Sequence, residues 1–255
     1  MTILGNGIFL NCHENGREMQ QSLRNTRSVG SKSGGAPERV YRHLRERILN
    51  FELPPGASLS RNEIAEQYGV SQAPVREALQ ALEEDGLVLI IPQSRTVVSQ
   101  IDVKQLYETQ FLRVAVECEV VRRLADAKQT ETIDRARTIL RMQSTLEGQI
   151  DKMDLFNELD RSFHEALFEG AGMSRINEMV RRKMGHLGRC QRLELPVKGK
   201  METILQQHAK VIEGLEAGDA QRAAAAMNEH LSGTISRVEK LREQFPDYFS
   251  DDEFQ

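Results

Sequence analysis

This chain of 255 residues has few cysteines, no long apolar run and no large excess of charge of one sign. Its three cysteines, Cys12, Cys118 and Cys190, are widely spaced and never form a Cys-x-x-Cys pair. This argues against a disulfide framework and a cysteine-rich zinc site. No apolar run approaches the roughly 20 residues of a membrane-spanning helix, and the first residues lack the pattern of a secretion signal. We therefore expect a protein of the reducing cytoplasm that does not contact a membrane.

The charges nearly balance, because 34 Lys and Arg residues face 38 Asp and Glu residues, for a formal net charge of −4. This balance argues against a protein that coats nucleic acid along its whole length, but it leaves room for a local reading surface. At roughly 100 to 200 residues per domain, the length favours two modest domains.

Apolar periodicity and turn residues divide the chain into four parts. Residues 1–36 are rich in glycine and lack sustained periodicity, which predicts a disordered N-terminal arm. Residues 37–99, the first domain, and residues 102–243, the second domain, are predicted to fold, and residues 244–255 are predicted to be an unstructured acidic tail. In the second domain, apolar spacing predicts helices at about 102–127, 131–147, 152–169, 174–192, 201–217 and 219–243.

The first domain shows the order helix, helix, helix, hairpin. Val40, Leu44 and Ile48 recur every fourth residue and mark one face of the first helix. Ser60 begins a capping-box pattern for a short second helix, which Gly69 ends. A third helix and two short β-branched runs joined by a turn follow. This order predicts a winged helix-turn-helix.

The second helix of a helix-turn-helix places its first turn against base edges in the major groove. The candidate DNA-binding residues of this turn are Ser71, Gln72, Ala73 and Arg76. Gln72 can pair with adenine, Arg76 with guanine or a phosphate, and Ser71 with a phosphate. Alternatively, Arg76 forms only a salt bridge with Glu77 or Glu83.

The first domain contains seven Lys and Arg residues against nine Asp and Glu residues. Because phosphate neutralisation supplies much of the affinity for DNA, a single copy has few cations with which to bind. We therefore predict a homodimer that binds adjacent half-sites of a double-stranded operator, arranged as a short inverted repeat.

Three segments of the first domain closely resemble the GntR family of bacterial transcription regulators. The resemblance rests on Pro-Pro-Gly-Ala-Ser-Leu at 54–59, Ile-Ala-Glu-Gln-Tyr-Gly-Val-Ser at 64–71 and Pro-Val-Arg-Glu-Ala-Leu-Gln-Ala-Leu-Glu-Glu-Asp-Gly-Leu-Val at 74–88. Arg76 matches the family pattern, whereas Gln72 and Ala73 stand where arginine and threonine are usual. At the wing tip, Ser94-Arg95 replaces the common Arg-Gly. Arg95 is a candidate to enter a narrow minor groove or to contact a phosphate.

Four side chains of the second domain are candidate metal ligands. Asp160 and His164 are four residues apart and project from the same side of one helix, and His208 and His230 lie beside apolar positions of two further helices. Each histidine alone can be an ordinary hydrogen-bonded residue. Together the four fit a divalent metal ion, with zinc as the first expectation and nickel, manganese or iron as alternatives.

The second domain also resembles the FadR-type ligand-binding domain, called FCD. The resemblance is carried by Asp160-x-x-x-His164, Glu-x-x-x-Gln-Gln-His208, Gly218-Asp219 and Met227-x-x-His230-Leu231. It implies that the aspartate and the three histidines bind a divalent metal in a helical bundle that also holds a small, often carboxylate-bearing effector.

Arg113 and Glu117 match the Arg-x-x-x-Glu pattern of the first helix of this domain. Arg113 is a candidate to bind an effector carboxylate through two hydrogen bonds, or to pair with Glu117 along the helix. His186 matches no ligand position, so it either lines the cavity or only packs.

The fold class that these observations predict is mainly α, with a winged helix-turn-helix domain followed by an all-α bundle. The predicted function is a dimeric, metabolite-responsive DNA-binding regulator, more often a repressor than an activator, whose effector is a small organic acid. One alternative is a metal-dependent enzyme with a DNA-binding appendage, since open metal positions can activate water. Against it, the chain has no His-Glu-x-x-His, Gly-rich phosphate loop or Gly-x-Ser-x-Gly turn. A pure metal sensor is the other alternative.

Overall fold

The computed structural model describes residues 35–250. The predicted arm, apart from its last two residues, and residues 251–255 of the predicted tail lie outside the described residues. The described helices are α1 (Ala36–Leu49), α2 (Arg61–Tyr68), α3 (Gln72–Glu84), α4 (Val103–Ala127), α5 (Thr130–Ser144), α6 (Met153–Gly170), α7 (Ser174–Lys183), α8 (Gly185–Glu194), α9 (Lys200–Glu216), α10 (Ala220–Ser232) and α11 (Val238–Gln244). The strands are β1 (Val88–Ile91) and β2 (Arg95–Val98). None of the described helices has the length and apolar character that a membrane span requires.

The first three helices pack around one apolar core, as the sequence predicts. Val40, Leu44 and Ile48 of α1 are fully buried. The Ser60 hydroxyl accepts a hydrogen bond from the backbone N–H of Glu63 at the start of α2. Gly69 ends α2 with a φ of 62°, a left-handed conformation in which glycine is not strained. A cap of the Ser60 type contributes about 1 kcal/mol to stability.

The wing is a two-stranded antiparallel sheet in which Val88 lies opposite Val98. Both residues are buried, whereas Leu89 on the other face of β1 is more than half exposed. The alternation predicts a sheet with one face on the domain core and one face open. The turn between the strands contains Gln93, whose φ is 56°.

The second domain is a helical bundle in which α4 packs on α10, α10 on α9, and α5 on α6. A Cβ atom at Gly214 of α9 would lie 2.6 Å from the backbone of Ala223 on α10. The absence of a side chain at Gly214 therefore allows these two helices to approach closely. Asp219 caps α10 by accepting a hydrogen bond from the N–H of Arg222. Helices α9 and α10 carry two of the candidate ligands.

The predicted helix at 174–192 is divided into α7 and α8, which is a correction to the sequence-based expectation. The division follows Lys183, and Gly185 begins α8. A Cβ atom at Gly185 would lie 2.8 Å from Cδ2 of Leu87, so the break coincides with close packing against the first domain. A contact between distant residues of this kind leaves no mark in local periodicity.

The predicted helix at 219–243 is also divided. Helix α10 ends at Ser232, and a 3-10 turn at Ile235–Arg237 leads into α11. The Thr234 hydroxyl donates a hydrogen bond to the buried carboxylate of Glu194, which favours the turn over a continuous helix. Thr130 and Ser174, whose side chains suit an N-cap, are instead the first helical residues of α5 and α7.

The prediction that residues 244–255 are unstructured is wrong for residues 244–250, which are folded. The N–H of Ile101 donates to the carbonyl of Tyr248 at 2.7 Å, and the N–H of Ser250 donates to the carbonyl of Ile101 at 3.0 Å. Phe249 is 3% exposed in a small core between the two domains. The segment folds because its aromatic residues pack in this core, although several of its other residues are acidic.

Candidate metal centre and DNA-binding surface

The structure brings the four predicted metal ligands together. Asp160, His164, His208 and His230 each offer one ligand atom, and these atoms all lie within 4.8 Å of one another. The Nε2 atom of His230 lies 3.1 Å from Nε2 of His164 and 3.3 Å from Nε2 of His208. Two nitrogen atoms bound to the same zinc ion lie about 2.9–3.4 Å apart, given Zn–N distances of about 2.0–2.1 Å. The spacing therefore fits a single small cation.

Two polar side chains set the orientation of His164 and His208. Oε2 of Glu117 lies 2.6 Å from Nδ1 of His164, and Oε1 of Gln143 lies 3.0 Å from Nδ1 of His208. The Gln143 amide nitrogen donates to the carbonyl of Phe156, so its oxygen is the acceptor toward His208. An acceptor beside each Nδ1 favours the tautomer that has its proton on Nδ1, which leaves the Nε2 lone pair for a metal ion.

The surroundings of the centre keep Glu117 ionised and favour the neutral form of His208 and His230. Burial by itself raises the pKa of Glu117, but the charge of Arg113 and the contact with His164 hold it well below its usual range. Burial, with a contribution from neighbouring histidines, lowers the pKa values of His208 and His230 well below the usual value. Neutral imidazole is the form that binds a metal ion.

Asp160 supplies the one carboxylate of the centre. Its Oδ1 atom is buried and has no hydrogen-bond partner among the described residues. A buried carboxylate oxygen without a partner is costly, and a cation at this point offsets that cost. Three imidazoles and one carboxylate form a donor set that suits zinc, and also nickel, manganese or iron.

The centre borders a cavity of about 720 Å³. This volume lies within the range of about 300–1,000 Å³ that is typical of small-molecule sites. Asp160, His164, Arg113 and Glu117 form part of the cavity wall. Nε of Arg113 donates to Glu117 at 2.6 Å, so Arg113 both pairs along its helix and faces the cavity. The two roles considered for Arg113 from the sequence are therefore compatible.

Gln143 is a residue of the centre that the sequence pattern does not single out. It lies 65 residues from His208 in the chain and is fully buried. The one sequence feature that could indicate Gln143 is a polar amide side chain at a position where the helix pattern of α5 calls for an apolar residue. Glu117 is similar, because the sequence suggests it as a partner of Arg113 and gives no indication of His164.

His186 does not line the cavity but packs at the junction between the two domains. Its Nδ1 accepts a hydrogen bond from the N–H of Asp102 at 2.9 Å and lies 3.0 Å from the guanidinium of Arg189. Arg189 is fully buried and donates to the carbonyls of Ser99 and Gln100. Burial, together with the charge of Arg189, lowers the pKa of His186 from 6.5 to about 3.

The predicted DNA-binding residues are all exposed, four of them at or near the start of α3 and one in the wing. These residues are Ser71, Gln72, Ala73, Arg76 and, at the start of β2, Arg95. Ser71 occupies the N-cap position of α3 without a side-chain cap hydrogen bond. The amide of Gln72 donates to Asn62 of α2 at 2.6 Å, so its orientation is set before any ligand binds.

The alternative pairing of Arg76 with an acidic neighbour is not found in the described part of the chain. Arg76 forms no ion pair there with Glu77 or Glu83, and the Glu83 carboxylate accepts a hydrogen bond from the N–H of Ile90 in the wing. The Arg76 guanidinium therefore remains available for a ligand outside the domain.

Known proteins similar to this chain are transcription regulators. The family model of bacterial regulatory proteins of the gntR family matches residues 36–98, and that of the FCD domain matches residues 105–233. One relative, described as an uncharacterized HTH-type transcriptional regulator in an unstable DNA locus of Streptomyces ambofaciens, is 34% identical over 214 residues. This match covers 84% of this chain and 89% of the relative.

A second relative, the HTH-type transcriptional repressor RspR of Escherichia coli strain K12, is 29% identical over 216 residues, or 84% of this chain and 94% of the relative. The solved structure of E. coli McbR/YncC has a TM-score of 0.69 with 20% identity, covers 82% of this chain and 99% of its own, and supports the fold alone. These relatives are named as regulators rather than enzymes. The chain belongs to the GntR family of bacterial regulatory proteins and carries an FCD domain, so it is a transcriptional regulator.

Proposed function

We propose that this regulator binds a divalent metal at Asp160, His164, His208 and His230 and responds to a small organic acid that enters the adjacent cavity. The observation that carries the proposal is the convergence of three imidazole nitrogens and one carboxylate within 4.8 Å at the cavity wall. The bound ion supplies a fixed positive charge to which an oxygen atom of the acid binds.

The protein side chains have distinct roles in this proposal. Glu117 and Gln143 hold two of the imidazoles with their Nε2 lone pairs toward the ion. Arg113 shares its Nε with Glu117 and offers its remaining N–H groups to a carboxylate of the effector. The acid is thus bound by a cation on one side and by a guanidinium on the other.

The first domain is proposed to read DNA as part of a homodimer. Ser71, Gln72, Ala73 and Arg76 would face the major groove, and Arg95 the minor groove or a phosphate. Because this domain has fewer basic than acidic residues, two copies on the half-sites of an inverted repeat are needed for tight binding. This function belongs to the cytoplasm, where the promoters of a bacterium lie.

Repression is the favoured direction, and it is supported by the name of the E. coli relative. An effector changes DNA affinity only to the extent that it binds one domain arrangement more tightly than another. We therefore expect the acid to shift an equilibrium that exists without it.

The experiment that tests the proposal titrates metal and candidate acids separately into a DNA-binding assay with the purified protein. The DNA fragments come from the genomic neighbourhood of its own gene. We expect selective binding to one fragment, and a change in affinity that requires both the metal and an acid. A response to metal alone would make the protein a metal sensor, and a lack of preference among fragments would contradict the proposed operator binding.

A further inference from the structure

The cavity beside the candidate metal centre is built from both domains. Its wall includes Arg45, Glu46 and Leu49 of α1 and the following residue, Asn50, all of which belong to the DNA-binding domain. The remaining wall comes from helices α4, α6, α7 and α8 of the second domain and from Met184, which lies between α7 and α8. A ligand that fills this cavity therefore touches the DNA-binding domain directly.

Arg45 is the only basic residue that the DNA-binding domain contributes to the described cavity wall. One of its Nη atoms donates to the carbonyl of Arg181 at 2.6 Å, and Arg45 forms no ion pair with a carboxylate among the described residues. Two acidic residues of the wall, Glu46 and Glu158, are exposed to solvent. Arg45 is half-buried, so its charge is only partly hydrated.

The surroundings of Arg45 favour an anion at this place. Burial lowers the pKa of Arg45, Tyr41 and Asp85 oppose this shift, and the charges of Arg181 and Arg161 add to it. Both of these arginines also line the cavity. Arg181 lies 3.7 Å from Glu165, and this is the one ion pair with a carboxylate that any of the three arginines forms among the described residues. An anionic ligand group would offset the repulsion among them.

We infer that Arg45 binds a second anionic group of the effector, so that the effector class is an acid with two anionic groups. One group binds at the metal centre and Arg113, and the other binds at Arg45 with Arg161 and Arg181. This inference rests on the proposed function, because it presumes that an acid binds in the cavity. It adds the chemical class of the ligand and a contact through which the DNA-binding domain takes part in binding.

The position of Arg45 links the cavity to the recognition helix. Tyr41 lies one turn before Arg45 on α1, and its hydroxyl donates a hydrogen bond to Asp85, which is the C-cap residue of α3. A ligand held by both domains binds most tightly in the arrangement that brings its two anion sites to the right separation. The affinity for such a ligand therefore depends on how the DNA-binding domain is placed, and the reverse also holds.

The inference is tested by isothermal titration of the zinc-loaded full-length protein with linear dicarboxylates from malonate to adipate. Each diacid is compared with its own monoamide, which has nearly the same shape and one charge fewer. The proteins are the wild type, Arg45→Gln, Arg45→Lys and the control Arg175→Gln. Arg175 is an exposed residue of α7 that does not line the cavity. Thermal unfolding of each variant confirms that it folds.

We expect at least one diacid to bind the wild type about tenfold or more tightly than its monoamide. This preference should disappear in Arg45→Gln, return in part in Arg45→Lys, and persist in Arg175→Gln. The same diacid should change DNA affinity less in Arg45→Gln than in the wild type.

The outcomes separate this inference from the proposed function. If the wild type binds diacids and monoamides equally, or if the preference survives in Arg45→Gln, the second anion site is wrong while the acid-binding function stands. If the zinc-loaded wild type binds none of these acids, both proposals are contradicted.

Discussion

Oε2 of Glu117 lies 2.6 Å from Nδ1 of His164, and Oε1 of the same carboxylate accepts a hydrogen bond from Nε of Arg113 at 2.6 Å. One buried carboxylate thus joins a candidate metal ligand to a candidate effector-binding residue. Any change in the charge of Glu117 is therefore expected to affect both binding events.

The substitution Glu117→Gln should lower zinc affinity by about 10-fold to 100-fold, because a neutral amide holds the His164 ring less firmly and makes it less basic. It should also destabilise the fold by up to about 3 kcal/mol, since Arg113 loses its buried counter-charge. Zinc affinity is measured by competition with a chelator, and stability is measured by chemical denaturation.

The matched control for this prediction is Glu119→Gln. Glu119 lies on the same helix, is about half exposed and pairs with Arg123 at the surface. It should leave zinc affinity unchanged and cost less than about 1 kcal/mol. Equal zinc affinity in Glu117→Gln and the wild type would remove Glu117 from its supporting role.

The substitution Arg76→Ala should weaken binding to the preferred DNA fragment without changing thermal stability, because the guanidinium is exposed and forms no described ion pair. If Arg76 reads a base, the loss should be about 1–3 kcal/mol and specificity should relax at one position. If it contacts a phosphate, the affinity for all DNA sequences should fall by a similar factor. The slope of log affinity against log salt concentration should then decrease in magnitude by about one. Fluorescence anisotropy at several salt concentrations distinguishes these cases, and unchanged affinity would exclude both.

The junction residue His186 should make stability depend on pH. Its Nδ1 accepts from the N–H of Asp102 and lies against the guanidinium of Arg189, so the folded protein holds the ring neutral. The unfolded chain takes up a proton near the ordinary pKa of 6.5, whereas the folded chain does so only near a pKa of about 3. The free energy of unfolding is therefore not reduced by His186 above about pH 6.5, and it decreases as the pH falls from 6.5 toward 3.

The variant His186→Gln isolates this effect, because its amide oxygen can still accept from Asp102 while it has no charge to gain. Denaturant unfolding at several pH values between about 7 and 4 should show an additional loss of up to about 1.4 kcal/mol per pH unit in the wild type. Parallel stability curves for the two proteins would show that His186 does not titrate as described.

Local sequence signals predict the winged helix-turn-helix well, because the caps and turns that end its helices depend on neighbouring residues. The cap at Ser60 and the left-handed Gly69 involve residues within one turn of each other. The break at Gly185 could not be found in this way, because it depends on packing against Leu87, which is distant in the chain. The sequence pattern does not predict the folded segment around Phe249 for a similar reason, since Phe249 pairs with Ile101, which is distant in the chain.

In the candidate site too, features set by neighbouring residues can be predicted from the sequence, whereas features set by contacts between distant residues cannot. The pair Asp160 and His164 can be predicted because residues four apart share one side of a helix. The convergence with His208 and His230 depends on helix packing, so the residue types suggest it and the family resemblance implies it directly. Arg45 carries no sequence signal for the cavity, because its position there depends on how the two domains pack.

The most direct test of the metal centre is elemental analysis combined with native mass spectrometry of the purified wild type, His208→Ala and the control His43→Ala. His208 is fully buried in the centre, whereas His43 is exposed on α1. We predict one divalent ion per chain in a dimeric wild type and in His43→Ala, and loss of the ion in His208→Ala. A wild type purified without chelator that contains no metal, or full occupancy in His208→Ala, would contradict the proposed centre.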